Sequence, residues 1–229
     1  PPPELVKVAP PRLLTIPMRT LDDGPVRQKL QQELGKAESH HIDLFCTDST
    51  HGLDRVRAAL RARGIRLIVD GNAQESLKRK LQAQYLVYCD DLTVAQWTQV
   101  LRRLGTADKQ AEEQKAGSGL FDCAVVLALD AADRREITTL FGSDLTRQVP
   151  SSGATGQEGR RPGTESVPPA GGPGGQSEPP KDGKVAMVAS LGPWRAAPAS
   201  KQVRQYLDAR HGRTPGTVAV MLVVRTVNN

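Results

Sequence analysis

The chain has 229 residues, of which 38% are hydrophobic, 24% charged and 3% aromatic, and its formal net charge is +6. This length allows one or two domains. No apolar run approaches the roughly 18–20 residues of a membrane helix, and neither a collagen repeat nor sustained heptads occur, which excludes those classes for this sequence. The mildly basic charge favours acidic partners or an anionic surface, but it lacks the clustering of a dedicated nucleic-acid binder.

Residues 1–24 are rich in proline, which stiffens the backbone and removes hydrogen-bond donors, so they predict an extended tether. Because the chain opens with three prolines and no Met, we expect it to be a fragment or a processed form that lacks any targeting segment. A polar helix is expected over residues 25–38, with Pro25 at its first position and Gly35 as an early stop.

The middle of the chain alternates short β-rich runs with helical periodicity. Four strands are predicted in order at residues 42–46, 65–69, 85–89 and 121–129. Between the first two strands, apolar residues recur every three or four positions from an N-cap at residues 48–50 to a stop at Gly64, which predicts a helix. Residues 73–82 fit either a short basic helix or a loop.

The second half of this region shows the same alternation. An amphipathic helix is predicted from its cap at Thr93 to a stop at Gly105. Residues 106–119 are charged and then rich in Gly and Ser, which predicts a mobile loop. After the fourth strand, residues 131–141 are predicted to form a last helix that ends at Gly142.

This order of elements predicts a ferredoxin-like βαββαβ core in an α+β domain over residues 25–145. A doubly wound parallel sheet is the alternative, but it requires residues 73–82 to be a full crossover helix, for which Leu77 and Leu81 give little support. In the ferredoxin-like arrangement the first and third predicted strands are parallel neighbours. The fourth strand then runs antiparallel beside the first.

Residues 146–183 differ in composition, since sixteen of the 34 residues from Pro150 to Gly183 are Gly or Pro. Such a segment buries too little surface to offset its ordering entropy, so a disordered linker is expected. A strand, helix, strand pattern returns over residues 184–229. A β-α-β unit of this size is marginal alone, and we expect it to dock on, or extend, the first sheet.

The ferredoxin-like arrangement would bring the ends of the first and third strands and the start of the fourth to one edge of the sheet. That edge would gather Asp48, Asp90, Asp91, Asp122, Cys46, Cys89 and Cys123, with His40, His41 and His51 nearby. A thiolate metal site or a carboxylate cup for a hard cation uses such groups. Lone cysteines in strands are more often small buried hydrophobes, and acids after strands are more often helix caps. No metal ligand and no cofactor are therefore assigned.

A binding surface for another protein is the preferred interpretation. Its predicted residues are Trp194, Asp48, Asp90, Asp91 and Asp122. Trp194 follows Gly and Pro on a predicted loop, where an indole needs something to bury against. No catalytic residue is assigned, because the sequence lacks a nucleophile elbow and a metalloprotease, P-loop or dinucleotide-binding motif. Cys46 with the neighbouring histidines lacks a third, orienting group.

An RNA- or anionic-ligand-binding ferredoxin-like domain is the alternative. Its basic surface would consist of Arg55, Arg57, Arg61, Arg63, Lys78, Arg79 and Lys80. Phe45, Tyr85 and Tyr88 stand where an RNA-recognition module carries stacking aromatics, but the glycine-rich and basic context of that motif is missing. A solvated helix face is the simpler interpretation of these charges, so nucleic acid is not the expected partner.

The C-terminal region contains the string SKQVRQYLDAR from Ser200 to Arg210, followed by RTPGTV from Arg213 to Val218. These residues resemble the tail of bacterial membrane-anchored proteins, some of which are similar to anti-sigma factors. Such proteins have a short cytoplasmic zinc-binding region, one membrane helix and an extracytoplasmic part. The resemblance implies that the proline-rich opening is a juxtamembrane tether. It also implies that this chain is the extracytoplasmic part, attached to the membrane only through a segment that it does not contain.

The sequence therefore predicts a non-enzymatic protein-interaction or sensing module that is tethered at its N-terminus. Its expected location is the extracytoplasmic side of a bacterial membrane, with the cytoplasm as the alternative. Another protein is the expected partner.

Overall fold

The computed structural model describes residues 13–81, 83–115, 119–146, 184–192, 201–210 and 213–227. These residues form one mixed seven-stranded sheet with six α-helices, which confirms the mixed α/β class. The strands are β1 Leu14–Pro17, β2 Ser39–Cys46, β3 Arg66–Val69, β4 Gln84–Leu92, β5 Phe121–Ala128, β6 Val185–Leu191 and β7 Val218–Thr226. The helices are α1 Gly24–Leu34, α2 Ser49–Arg61, α3 Gly71–Lys78, α4 Val94–Lys115, α5 Ala131–Phe141 and α6 Lys201–Ala209.

The strand order is β1-β5-β2-β7-β4-β6-β3. As predicted, β5 runs antiparallel beside β2. β2 and β4, however, are not the parallel neighbours of a ferredoxin-like core, because β7 lies between them, parallel to β2 and antiparallel to β4. In the same way β6 separates β4 from β3. The sheet thus has more strands than the predicted core and a different order of neighbours.

The composition of the C-terminal strands explains their interior position. Every side chain from Val218 to Val224 is buried, and so are the first five of β6. A strand that is apolar on both sides needs cover on both faces and suits the interior of a sheet. Of the two expected arrangements, β6 and β7 therefore extend the first sheet, from within it, rather than dock on it.

Helices cover both faces of the sheet. On one face, called the α4 face, Leu53 of α2 and Trp97 of α4 belong to the same buried cluster as Leu222 of β7. α1 and α3 contribute to this larger cluster as well. On the other face, called the α5 face, Ile137 of α5 belongs to a second cluster with Met221 of β7, and α6 contributes to it. β7 therefore separates two hydrophobic layers.

Two elements differ from the sequence prediction. β1 lies inside the predicted tether. Its buried residues Leu14 and Ile16 alternate with exposed neighbours, which is the period of two that is typical of a strand. α4 continues through Gly105 to Lys115 and replaces most of the predicted loop over residues 106–119. Glycine in a helix costs about 1 kcal/mol, which tertiary packing can override.

Gly105 has a packing role rather than a stop role. A Cβ at this position would lie 2.3 Å from the carbonyl oxygen of Met18 and 3.3 Å from its carbonyl carbon. Met18 is buried in the short 3-10 helix, Met18–Thr20, that follows β1. The missing side chain lets this N-terminal segment approach the backbone of α4 closely.

Gly105→Ala should destabilise the protein by about 1–3 kcal/mol, because the backbone at Met18 must move away from the new methyl group. Without that contact, alanine would instead stabilise the helix by about 1 kcal/mol. Urea unfolding measures the difference in free energy. Gly24→Ala is the matched control, since nothing lies within 4 Å of a Cβ there, and it should be neutral or slightly stabilising. A Gly105→Ala protein as stable as the wild type would contradict the close contact.

Candidate functional site

The aspartates that were predicted to lie together at one end of the strands lie at opposite ends of the sheet. Because β4 runs antiparallel to β2, the end of β4 lies on the side where β2 begins. Asp48 and Asp122 are on the side where β2 ends and β5 begins, whereas Asp90 and Asp91 are at the other end. β2 has eight residues, so about 23 Å along the strand separates the two ends of the sheet. The prediction that the four aspartates lie together is therefore wrong. Trp194, the other predicted binding residue, lies outside the described residues.

Cys89 lies at the opposite end of the sheet from Cys46 and Cys123. Cys46 on β2 and Cys89 on β4 are fully buried, and Cys123 on β5 is partly exposed. Burial raises the pKa of both Cys46 and Cys89 to about 12. Both are therefore neutral thiols at pH 7 and poor nucleophiles. In the part of the chain that the structure describes, no group of three or more His, Cys, Asp or Glu side chains is placed to hold a metal ion.

The other predicted aspartates have different environments. Asp48 caps α2, since its carboxylate accepts hydrogen bonds from the N–H groups of Thr50 at 2.8 Å and His51 at 3.0 Å. Asp91 is half-buried, and burial raises the pKa of its carboxyl. Asp122 is exposed. Asp48 thus has the helix-cap role that the sequence also allowed.

Asp90 forms a buried ion pair with Arg210, which directly follows α6. The two side chains are 4% and 16% exposed. The Tyr88 hydroxyl donates to the carbonyl oxygen of Leu145 at 2.8 Å, and the Arg210 guanidinium donates to the same oxygen at 3.4 Å. This cluster joins β4, the segment after α5 and the end of α6. Its carboxylate is engaged inside the protein rather than offered to a partner.

A second polar cluster lies on the α5 face. His41 Nδ1 is 2.8 Å from Asp133 Oδ1, and His41 Nε2 is 3.2 Å from Asp43 Oδ1. Arg225 of β7 donates from Nε to the same Asp43 oxygen and from Nη1 to Gln84 Oε1 at 2.9 Å. The capping box at the start of α5 holds Asp133 in place. The cluster therefore connects β2, β7 and β4 of the sheet to α5.

His41 is a buried imidazolium at neutral pH. Burial alone would lower its pKa, but the hydrogen bonds and charges of Asp133 and Asp43 raise it to about 9. Burial raises the pKa of the Asp43 and Asp133 carboxyls, but their hydrogen bonds to His41 and its charge lower it further, so that the net shift is downward. Because both ring nitrogens donate to carboxylates, the ring has no free lone pair with which to accept a proton from a substrate. The geometry gives His41 a stabilising role rather than that of a general base.

The sequence predicts His41 near a possible metal or thiol site, but it does not predict this cluster. One signal was present, since the period of two in β2 places His41 and Asp43 on the same side of the strand. Asp133 lies 92 residues from His41, and Arg225 lies 182 residues from Asp43. Arg225 reaches Asp43 because β7 lies beside β2, which the predicted topology did not contain.

The predicted basic residues lie on and around α2 and α3. Residues 49–81 hold eight Lys or Arg against three Asp or Glu, and they therefore carry +5 of the chain's +6. Exposed members are Arg55, Arg61, Arg63, Lys78, Arg79 and Lys80, and the half-buried member is Arg57. Tyr85 and Tyr88 are buried and Phe45 is half-buried. The two tyrosines thus offer no stacking surface for RNA bases.

Between α2 and α3 in the sequence, β3 forms one margin of the sheet. β6 is the only described strand that pairs with it. The N–H groups of Arg66 and Asp70 donate to the carbonyl oxygens of Lys184, just before β6, and Val188 at 2.9 and 2.8 Å. Backbone groups alternate in direction along a strand, so the N–H and C=O groups of Leu67 and Val69 point to the outer side. We call the outer side of residues 66–69 the β3 edge.

Comparison of the chain with protein-family models, with curated proteins and with solved structures gives no match. Among the described residues, no helix is both long and apolar enough to cross a membrane. The fold defines a mixed α/β domain whose two polar clusters are paired internally, with a basic helical surface beside a sheet edge that no described strand pairs.

Proposed function

We propose that this chain is a non-enzymatic protein-interaction module of a membrane-tethered bacterial protein. The observation that supports it is the β3 edge, whose outward backbone donors and acceptors no described strand pairs. Such an edge is a template for a strand of another chain, a mode of recognition called β-augmentation. The clusters around Asp90 and His41, by contrast, have their partners within the chain.

The tether and the location belong to the same proposal. The proline-rich opening and the resemblance of the C-terminal tail to extracytoplasmic parts of membrane-anchored proteins support them. The module would then lie on the outer side of the bacterial membrane, with a cytoplasmic location as the alternative. Protease added to intact cells of the native host should degrade an external module and spare a cytoplasmic one.

A photoreactive residue in place of Arg66 should cross-link the full-length protein to a protein partner in its native host. Mass spectrometry identifies that partner. The same residue in place of Arg134, which is exposed on α5, is the matched control and should give no such product. Val69→Pro should abolish the product, because proline removes an outward N–H and spares the hydrogen bonds to β6. A product that forms equally at Arg134, or that survives Val69→Pro, would contradict a role for the β3 edge.

The basic helices support a second candidate, a binding domain for RNA or another anionic ligand. The supporting observation is the net charge of +5 within residues 49–81. Neutralising phosphates releases counterions, so the affinity of such a domain falls steeply as salt rises. Titration with a generic single-stranded RNA at increasing salt separates the candidates. Strong, salt-dependent binding that Arg61→Glu weakens would favour the second.

A further inference from the structure

We propose that the β3 edge takes an extended acidic segment of a partner protein as an eighth strand of the sheet. This inference rests on the proposed interaction function and names the chemistry of the partner. Three features support it: the open backbone of the strand, the absence of proline from it, and the positive charge of the elements on either side.

The β3 edge offers hydrogen bonds without any rearrangement of the sheet. Leu67 and Val69 each direct one N–H and one C=O outward, so an added strand can form about four hydrogen bonds. These groups alternate with those that bind β6, so the added strand takes nothing from the existing ladder. The register between β3 and β6 is continuous over all four residues, with no bulge to twist the edge away.

The opposite margin of the sheet has protection that β3 lacks. β1 is also four residues long, but it ends in Pro17, which has no N–H to donate. β3 contains neither proline nor glycine, and its one charged residue is Arg66. Sheets commonly protect their edges with proline, bulges or charges. A positive charge repels a basic strand and attracts an acidic one, so the protection of β3 is selective.

Apolar side chains at the β3 edge can extend the hydrophobic layers. Leu67 and Val69 are partly buried against the larger cluster, and Ile68 is 7% exposed in the smaller one. A partner strand with apolar residues at alternate positions would continue one of these layers. We therefore expect the recognised segment to alternate apolar and acidic residues over about four to six positions.

The charge around the edge determines which partner is favoured. The flanking residues Arg61 and Arg63 are exposed, as is Arg66 within β3, and residues 49–81 carry a net charge of +5. This potential attracts an acidic strand and speeds its association. A second copy of this chain would bring the same +5 against it, which disfavours self-pairing through β3.

The probe is a capped, fluorescently labelled eight-residue peptide of alternating Glu and Val. Its anisotropy with the full chain should show saturable binding, about tenfold tighter than that of the matching Lys and Val peptide. A Glu and Val peptide with N-methyl groups on the residues facing β3 should also bind about tenfold more weakly, because it cannot donate those hydrogen bonds. This control leaves the protein unchanged and separates strand pairing from simple charge attraction.

Two protein variants test the role of the charge. Arg63→Glu combined with Arg66→Glu should weaken binding of the acidic peptide by about tenfold or more. Arg134→Glu combined with Arg135→Glu makes the same kind of change on the exposed side of α5 and should leave affinity within about twofold. Equal losses in the two variants would mean that net charge alone attracts the peptide, and would overturn the proposal.

The remaining outcomes are also decisive. Equal binding of the N-methylated peptide overturns strand pairing at the β3 edge. A single-stranded RNA that displaces the peptide and binds more tightly assigns the surface to nucleic acid, and overturns the proposal as well. If cross-linking at Arg66 identifies a partner while the acidic peptide fails to bind, the interaction function stands and the acidic chemistry of the partner is wrong.

Discussion

His41→Gln is expected to destabilise the protein by about 3 kcal/mol at pH 6 and by little at pH 10. The pKa of His41 is raised from 6.5 to about 9, and a shift of that size corresponds to about 3 kcal/mol. Below pH 6.5 the ring is protonated in both the folded and the unfolded protein, so its attraction to Asp43 and Asp133 is fully present. Above pH 6.5 the unfolded chain releases the proton first, and this stabilisation is lost as the pH rises through 9.

Urea unfolding of the wild type and the variant between pH 6 and pH 10 measures this difference. The two free energies of unfolding should converge above pH 9. His51 is the matched control because its side chain is 74% exposed on α2. His51→Gln should change stability by less than about 0.5 kcal/mol at each pH. A loss in His41→Gln that stays constant with pH would show a packing role and contradict the raised pKa.

Much of the secondary structure is predictable from the sequence because its signals are local. Thr93 was predicted as a helix cap, and its hydroxyl accepts from the Gln96 N–H at 3.3 Å while the Gln96 side chain accepts from the Thr93 N–H at 3.0 Å. Gly142 was predicted to end a helix, and it does so with a φ of 76°. The extension of α4 past Gly105 shows the limit of these local signals, because the reason for a glycine there is the nearby backbone of Met18.

The strand order is not predictable in this way because it depends on distant pairing. Ser39 of β2 pairs with Ala219 of β7 across most of the chain. The entropy of closing a loop rises only slowly with its length, so a long intervening segment does not keep the C-terminal strands out of the sheet. Once β7 lies between β2 and β4, the direction of β4 is reversed relative to the prediction. The aspartates at the strand ends then separate, and no inspection of their local sequence could have shown it.

The candidate surface was predictable in part. The arginines of α2 could be placed on a solvated face, because the apolar residues of that helix repeat on the other side. The β3 edge could not, since a short strand with three apolar residues fits the interior of a sheet as well as its margin. β3 lies at the margin of the sheet because β6 pairs with one of its sides and no described strand pairs with the other. The proposed interaction surface therefore depends on a strand that lies more than a hundred residues away in the sequence.

Asp90→Asn should destabilise the protein by about 3–5 kcal/mol, because it leaves the Arg210 guanidinium buried without a counter-ion. Burial lowers the pKa of Arg210, because removal from water disfavours the charged guanidinium. Urea unfolding near pH 7 measures the loss. Asp22→Asn is the matched control, since Asp22 and Arg102 form an ion pair of 2.8 Å with side chains 36% and 50% exposed. That variant should lose at most about 1 kcal/mol.

The double variant Asp90→Asn with Arg210→Met distinguishes a lost attraction from a stranded charge. If the large loss arises because Arg210 is left buried and unpaired, removing that charge should restore much of the stability. If instead the loss reflects the attraction alone, the double variant should be no more stable than Asp90→Asn. Equal losses for Asp90→Asn and Asp22→Asn would contradict both explanations, because the two pairs differ chiefly in their burial. Recovery in the double variant would establish that the buried pair holds the end of α6 to β4 through mutual neutralisation.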